Sequence, residues 1–120
     1  MKFARIVFLI AGVWGFFVTL PLYFAYGFIS HRSPPAITHP EFYFGFVGVT
    51  LAWQLAFLLI GSDPVRFRPM MIPSIGEKLS FVFGMGALFV SGRISAPQAA
   101  QSVPDLILLP LFIASFLKSR

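Results

Sequence analysis

The sequence predicts an all-α integral membrane protein, a bundle of four transmembrane helices forming a single domain over residues 1–120. Three observations predict it. The chain is 58% hydrophobic and 11% charged, against about half and about a quarter in an ordinary soluble domain. Its mean hydropathy of +0.86 leaves too few charges to keep a surface in water, so lipid is the expected solvent. Long apolar runs also alternate with short polar loops, and about 20 apolar residues suffice to cross about 30 Å of hydrocarbon.

The first span runs over about 6–29, interrupted by Thr19 and Pro21. Lys2 and Arg5 precede it, as in a signal peptide. The run far exceeds the about 7–15 residues of a signal core, however, and "YFAYGFIS" (23–30) is a poor small-x-small cleavage site, so a retained helix is expected. The polar loop "SHRSPPAITHPE" leads to a second span over 40–61. The charged segment "GSDPVRFRPMMIPSIGEK" follows, holding two of the four acids, and a third span covers 75–91. After "GRISAPQAAQSV", the fourth span covers 104–117. Its 14 residues rise only about 21 Å, so it is short, kinked at Pro110, or preceded by a further helical turn.

Four spans place both termini and the middle loop on one side. That side holds seven of the nine bases, Lys2, Arg5, Arg66, Arg68, Lys78, Lys118 and Arg120, and the other holds Arg32 and Arg93. Basic loops stay cytoplasmic, which predicts a multi-pass protein of the cytoplasmic membrane with both termini inside. A three-span chain would divide the bases five to four.

Three acids fall in the pattern of a helix N-terminus, a hydroxyl residue followed three positions on by a carboxylate. These are Thr38…Glu41, Ser74…Glu77 and Ser102…Asp105. Carboxylates there also meet the positive end of the helix dipole, and Pro40 and Pro104 cost no hydrogen bond inside a first turn. Asp63 is placed to cap a short turn over "PVRFR", and "SAPQ" (95–98) predicts a small surface helix. On this reading no paired carboxylates remain for acid–base chemistry.

Small and polar residues recur every three or four positions: Gly12, Gly15, Thr19, Tyr23 and Tyr26 on the first span, Tyr43, Thr50 and Gln54 on the second, Glu77, Ser80, Gly84, Ala87 and Ser91 on the third. Such faces pack helices closely in lipid, or line a cavity. The candidate cavity or coupling residues are therefore Thr19, Tyr23, Tyr43, Thr50, Gln54 and Glu77. Glu77 is the sole ionisable group on a stripe, and Lys78 is expected to turn away and extend toward the headgroups. Arg66 and Arg68 are candidates for contact with anionic lipid headgroups. His31, His39 and Glu41 could form at most a weak metal site, and no cofactor motif appears.

The absence of cysteine excludes disulfides and thiolate chemistry. The net charge of +5 does not indicate nucleic acid, because the bases form no helical stripe. Length and span count are similar to the small multidrug-resistance transporters, but those carry an essential glutamate inside the first span, and here no charge follows Arg5 in it. The segments "HPEFYFGFVGVTLAWQ" (39–54) and "DPVRFRP…EK" (63–69, 77–78) resemble a family of small uncharacterised bacterial membrane proteins, DoxX-like in general layout. The resemblance implies a four-helix bundle in a bacterial cytoplasmic membrane and no activity. The leading expectation is an accessory or interaction subunit without catalysis, partnered by the bilayer and by a second copy or another membrane protein. The alternatives are a small transporter coupled through Glu77, and a binding protein or enzyme for a lipid- or quinone-like substrate between helices one to three. A closed core would favour the first; a lined pocket would favour the others.

Overall fold

The computed structural model describes residues 2–32 and 38–119, with backbone alone over 30–32. Most of those residues are helical, with no strand among them. Helix α1 covers Lys2–Thr19. The chain then tightens into a 3₁₀ turn over Leu20–Phe24 and resumes as α2, Tyr26–Arg32. Pro21 is the cause: it has no N–H, and its ring clashes with the carbonyl one turn earlier. The expected unbroken span over 6–29 is thus a long helix, a tight turn and a short helix.

Helix α3, Pro40–Ser62, starts with Pro40 in its first turn. The capping position is His39, not Thr38, and no side chain caps there. Asp63 closes the helix and its Oδ1 accepts from the Arg66 N–H at 3.3 Å, the expected short turn. Helix α4, Met71–Val90, begins four residues before the expected start at Ile75. Ser74 is therefore inside the helix, donating to the Met70 carbonyl at 2.8 Å, and caps nothing. The far end of α4 closes on Gly92, whose φ of +76° a side chain would strain. The Arg93 N–H reaches the Leu88 carbonyl and the Gly92 N–H that of Phe89, the paired bonds of a Schellman end.

Ser95 and Gln98 form a reciprocal capping box that starts α5, Ala96–Ala99, as the sequence predicts. A 3₁₀ turn over Ala100–Ser102 joins it to α6, Val103–Lys118. Ser102 donates to the Ala99 carbonyl instead of capping α6. Three of the four capping boxes read from the sequence are therefore absent, which releases Glu41, Glu77 and Asp105 for other contacts.

Three runs are long and apolar enough to cross a membrane: Lys2–Phe24, Pro40–Ser62 and Ala96–Lys118. The fourth is not clear: α4 has the length, but adjacent Glu77 and Lys78 lower its apolar character. The segment expected to be weakest qualifies because α5 and the 3₁₀ turn extend α6 to 23 residues.

The long helices run antiparallel in succession. Leu9 lies against Gly61 and Gly15 against Gln54. Lys118 lies over Phe3, and Arg68 reaches the Phe116 carbonyl while Lys78 reaches Asp105. Helix α1 packs against both α3 and α6, α4 packs on the outer side of α6, and α3 and α4 touch only lightly. The α1–α3 approach is close because it is made of glycine. A Cβ on Gly12 would meet Leu58 at 2.7 Å, and one on Gly61 would meet Leu9 at 2.7 Å. In lipid, where burial drives no association between helices, such close packing supplies the attraction.

The core is an aromatic trio, one ring from each of three helices. Phe8 stacks on Phe112 at 4.2 Å, and Phe57 meets Phe112 edge-on at 5.0 Å. Each such pair is worth about 0.5–1.5 kcal/mol beyond its burial. Ala4, Ala11, Ile60 and Met71 close around the trio. It lies toward the end that carries Lys2, Arg5, Arg66, Arg68 and Lys118. The outside of the bundle is largely apolar, with Phe17, Phe24, Phe83 and Val90 mostly exposed.

Candidate functional site

Beyond the trio the bundle is hollow. Lys78 sits seven residues into α4 and Gln54 eight residues before the end of α3. At about 1.5 Å per residue this is roughly 10–12 Å inside the helical ends. Lys78 does not extend to the surface as the sequence suggests. It is 4% exposed, and its Nζ donates to Asp105 Oδ1 at 2.8 Å. The ammonium also lies 5.0 Å from the Phe57 ring centre and 5.9 Å from that of Phe112. Aromatic faces favour a cation, so the trio forms a floor beneath the charge.

Glu77 Oε2 lies 3.5 Å from the same ammonium, an ion pair without hydrogen-bond alignment. That oxygen is shielded and has no hydrogen-bond partner among the described residues. Asp105 occupies the first turn of α6, where the helix dipole already favours a carboxylate. The centre therefore holds one cation and two carboxylates, drawn from α4 and α6. Buried charge persists only when paired, and here one carboxylate is matched closely and the other loosely.

Gln54 is buried, and its amide donates to the Thr50 carbonyl at 2.9 Å. It fits because α1 offers Gly15 opposite: a Cβ there would fall inside the Gln54 amide group. Tyr43 donates its hydroxyl to the Leu22 carbonyl at 2.5 Å, tying α3 to the Pro21 turn.

These groups face a cavity of about 540 Å³, within the about 300–1,000 Å³ usual for small-molecule sites. Thr19, Tyr43, Thr50, Gln54 and Glu77, five of the six candidate residues, lie on its wall. Tyr23 does not line it and stacks on Phe44 with centres 6.2 Å apart. Trp14, Lys78, Gln101 and Asp105 line it unforeseen, so the cavity needs α6 as well as the first three long helices. A groove of about 500 Å³ lies between α3 and α4, lined by Val49, Trp53, Gly76 and Ser80. Phe46, Thr50, Glu77 and Phe81 line both spaces, so the groove adjoins the cavity. The Phe46 and Phe81 rings face each other across it at 6.3 Å.

The stripe read on α4 mostly points elsewhere. Ser80, Gly84, Ala87 and Ser91 are exposed, and the buried face is Met71, Ser74 and Lys78. Arg68 is engaged by the chain itself, donating to the Phe116 carbonyl at 2.9 Å and stacking 3.7 Å above that ring. Arg66 is exposed. His39 Nδ1 and Glu41 Oε1 lie 2.9 Å apart on the surface, while the side chain of His31 lies outside the described residues. No three His, Asp or Glu side chains among the described residues are grouped to hold a metal.

The chain matches no family, no curated protein and no solved structure among those it was compared with. The DoxX-like resemblance is neither supported nor opposed by that outcome.

Proposed function

We propose that the protein is a polytopic membrane protein that binds a single-chain amphiphile or similar hydrophobic molecule, admitted from the bilayer between α3 and α4. The observation that carries this reading is the cavity: it is largely apolar, it holds a polar centre, and it adjoins a groove between two helices that barely touch. An accessory subunit needs only a packed core, so the cavity favours binding over that role. A transporter coupled through Glu77 would use the same cavity, with an opening to each side in turn. The polar wall residues Thr50, Gln54 and Tyr43 orient the head of the guest, and the groove holds its tail.

In this reading all four long helices cross the membrane, α4 included, because its only interior charges are paired within the bundle. The five bases at one end face the cytoplasm, and Arg66 contacts anionic headgroups. Lys78 belongs to the interior and drops out of the topology count, which leaves six of the nine bases on that side. The bilayer is the principal partner, and the exposed small face of α4 offers a second copy a close approach.

The two tryptophans report directly, since Trp14 lines the cavity and Trp53 the groove. Protein in nanodiscs is titrated with 11,12-dibromododecyl amphiphiles of cationic, neutral and anionic head, whose bromines quench indole fluorescence. Binding gives saturable quenching at a stoichiometry near one for at least one head, and Thr50→Phe removes the saturable phase. Quenching that rises linearly for every head, as simple partitioning does, refutes the proposal.

A further inference from the structure

The charge inventory of the cavity specifies the head of that guest. We propose that the site selects a protonated primary amine, received by the Glu77 carboxylate beside the Lys78–Asp105 pair; this rests on the reading that the cavity takes an amphiphile. Asp105 already holds the Lys78 ammonium at 2.8 Å. Glu77 stands at 3.5 Å from the same ammonium, and its shielded Oε2 has no hydrogen bond among the described residues. With both carboxylates ionised, one cation between them leaves the centre one negative charge in excess. No other acid or base among the described residues lines the cavity.

Three kinds of head can be weighed against this centre. An anion would meet two carboxylates, with the one lysine already committed. A hydroxyl would satisfy Oε2 and leave the excess charge unmatched. An ammonium supplies both an N–H donor and the missing charge, and charge-assisted bonds of this kind are about twice as strong as neutral ones. The walls add the aromatic rings of Trp14, Tyr43 and Phe46, a ring type whose face attracts a cation and not an anion. Glu77 also borders the groove, so the head can reach it while the tail lies between Val49 and Trp53.

The experiment compares dibromododecylamine, dibromododecanol and dibromododecanoate by tryptophan quenching in nanodiscs of neutral lipid. The amine binds about ten- to a hundredfold more tightly than the alcohol, the gain of matching the carboxylate's charge as well as its hydrogen bond. The dodecanoate binds more weakly than either. In Glu77→Gln the amine binds within about threefold of the alcohol measured on the same variant, while Arg66→Gln changes neither. Saturable binding of alcohol and amine with equal affinity overturns the amine assignment and leaves the amphiphile reading intact. Saturable binding of none overturns both. A preference for the amine that survives Glu77→Gln also overturns the assignment, as it would then lie with another group. Butylamine and a bilayer rich in phosphatidylethanolamine separate the sources. If butylamine at matched concentration displaces the dodecylamine, or the two-chain lipid does so stoichiometrically, a single-chain amine is not the guest.

Discussion

Replacing Lys78 by methionine keeps the stem and removes the charge. Asp105 and Glu77 are then two interior carboxylates with no cation. Removing one partner of a buried pair costs about 3–5 kcal/mol. The individual interactions of the ammonium point the same way: a bond to a charged group at 2.8 Å is worth about 1.5–3 kcal/mol and a desolvated cation over an aromatic face about 2 kcal/mol. Asp105→Leu is milder, since Glu77 at 3.5 Å can take over the ammonium, and about 1–3 kcal/mol is expected. The double variant Lys78→Met with Asp105→Leu removes the matched pair together. It should lose about 2 kcal/mol less than the two single losses combined, a coupling typical of residues that touch. Thermal unfolding in detergent micelles, followed by circular dichroism, measures all four proteins. At roughly 4 °C per kcal/mol for a chain of this size, Lys78→Met should melt about 12–20 °C below the parent. If Lys78→Met melts within about 2 °C of the parent, less than the roughly 4 °C that one kcal/mol produces, the lysine is not a buried partner and extends to the headgroups.

Gly15→Val places a Cβ where the Gln54 amide lies and should cost about 1–3 kcal/mol in the same melt, with a companion Gln54→Ala restoring a good part of it. Arg68→Ala removes a backbone bond and a ring stack and should lower the melting temperature by about 4–8 °C, whereas Arg66→Ala should leave it unmoved; equal effects would contradict the assigned partners. The natural chain has no cysteine, so single substitutions report topology cleanly: Ser62→Cys and Lys118→Cys should react with an impermeant maleimide from one side of oriented vesicles and Ser91→Cys from the other. Reaction of Ser91→Cys on the same side as Ser62→Cys would show that α4 does not cross.

Helical class, apolar exterior and a basic end were legible because they depend on composition and on where charges fall along the chain. The inner faces of α1 and α3 were legible too, since Gly12, Gly15, Thr19, Thr50 and Gln54 repeat at the helical period and pack against one another. The charged centre was not. Glu77 and Lys78 are neighbours about 100° apart on α4, and local sequence does not say which turns inward. Asp105, 27 residues on, decides it, by offering the lysine a partner. The capping pattern hid that acid, because Ser-x-x-Asp explains a carboxylate equally well without any long-range partner. The start of α4 at Met71 placed Ser74 inside a helix, and no local signal marks a first turn built from Met, Ile and Pro. A signal was available nonetheless: two adjacent opposite charges within an apolar helix, and a single acid in a distant one, are costly in lipid unless they meet.

The Phe8–Phe57–Phe112 trio makes the molecule mechanically uneven. One end is a solid joint of interlocked rings; the other is a shell around a void, with its seam between α3 and α4. Helices joined in this way can part at the hollow end only by swinging about the aromatic joint. Amide exchange should therefore be slowest around Phe8, Phe57 and Phe112 and quicken along each helix away from them. Lys78, seated on the rings and bonded across to α6, marks where the stiff half stops.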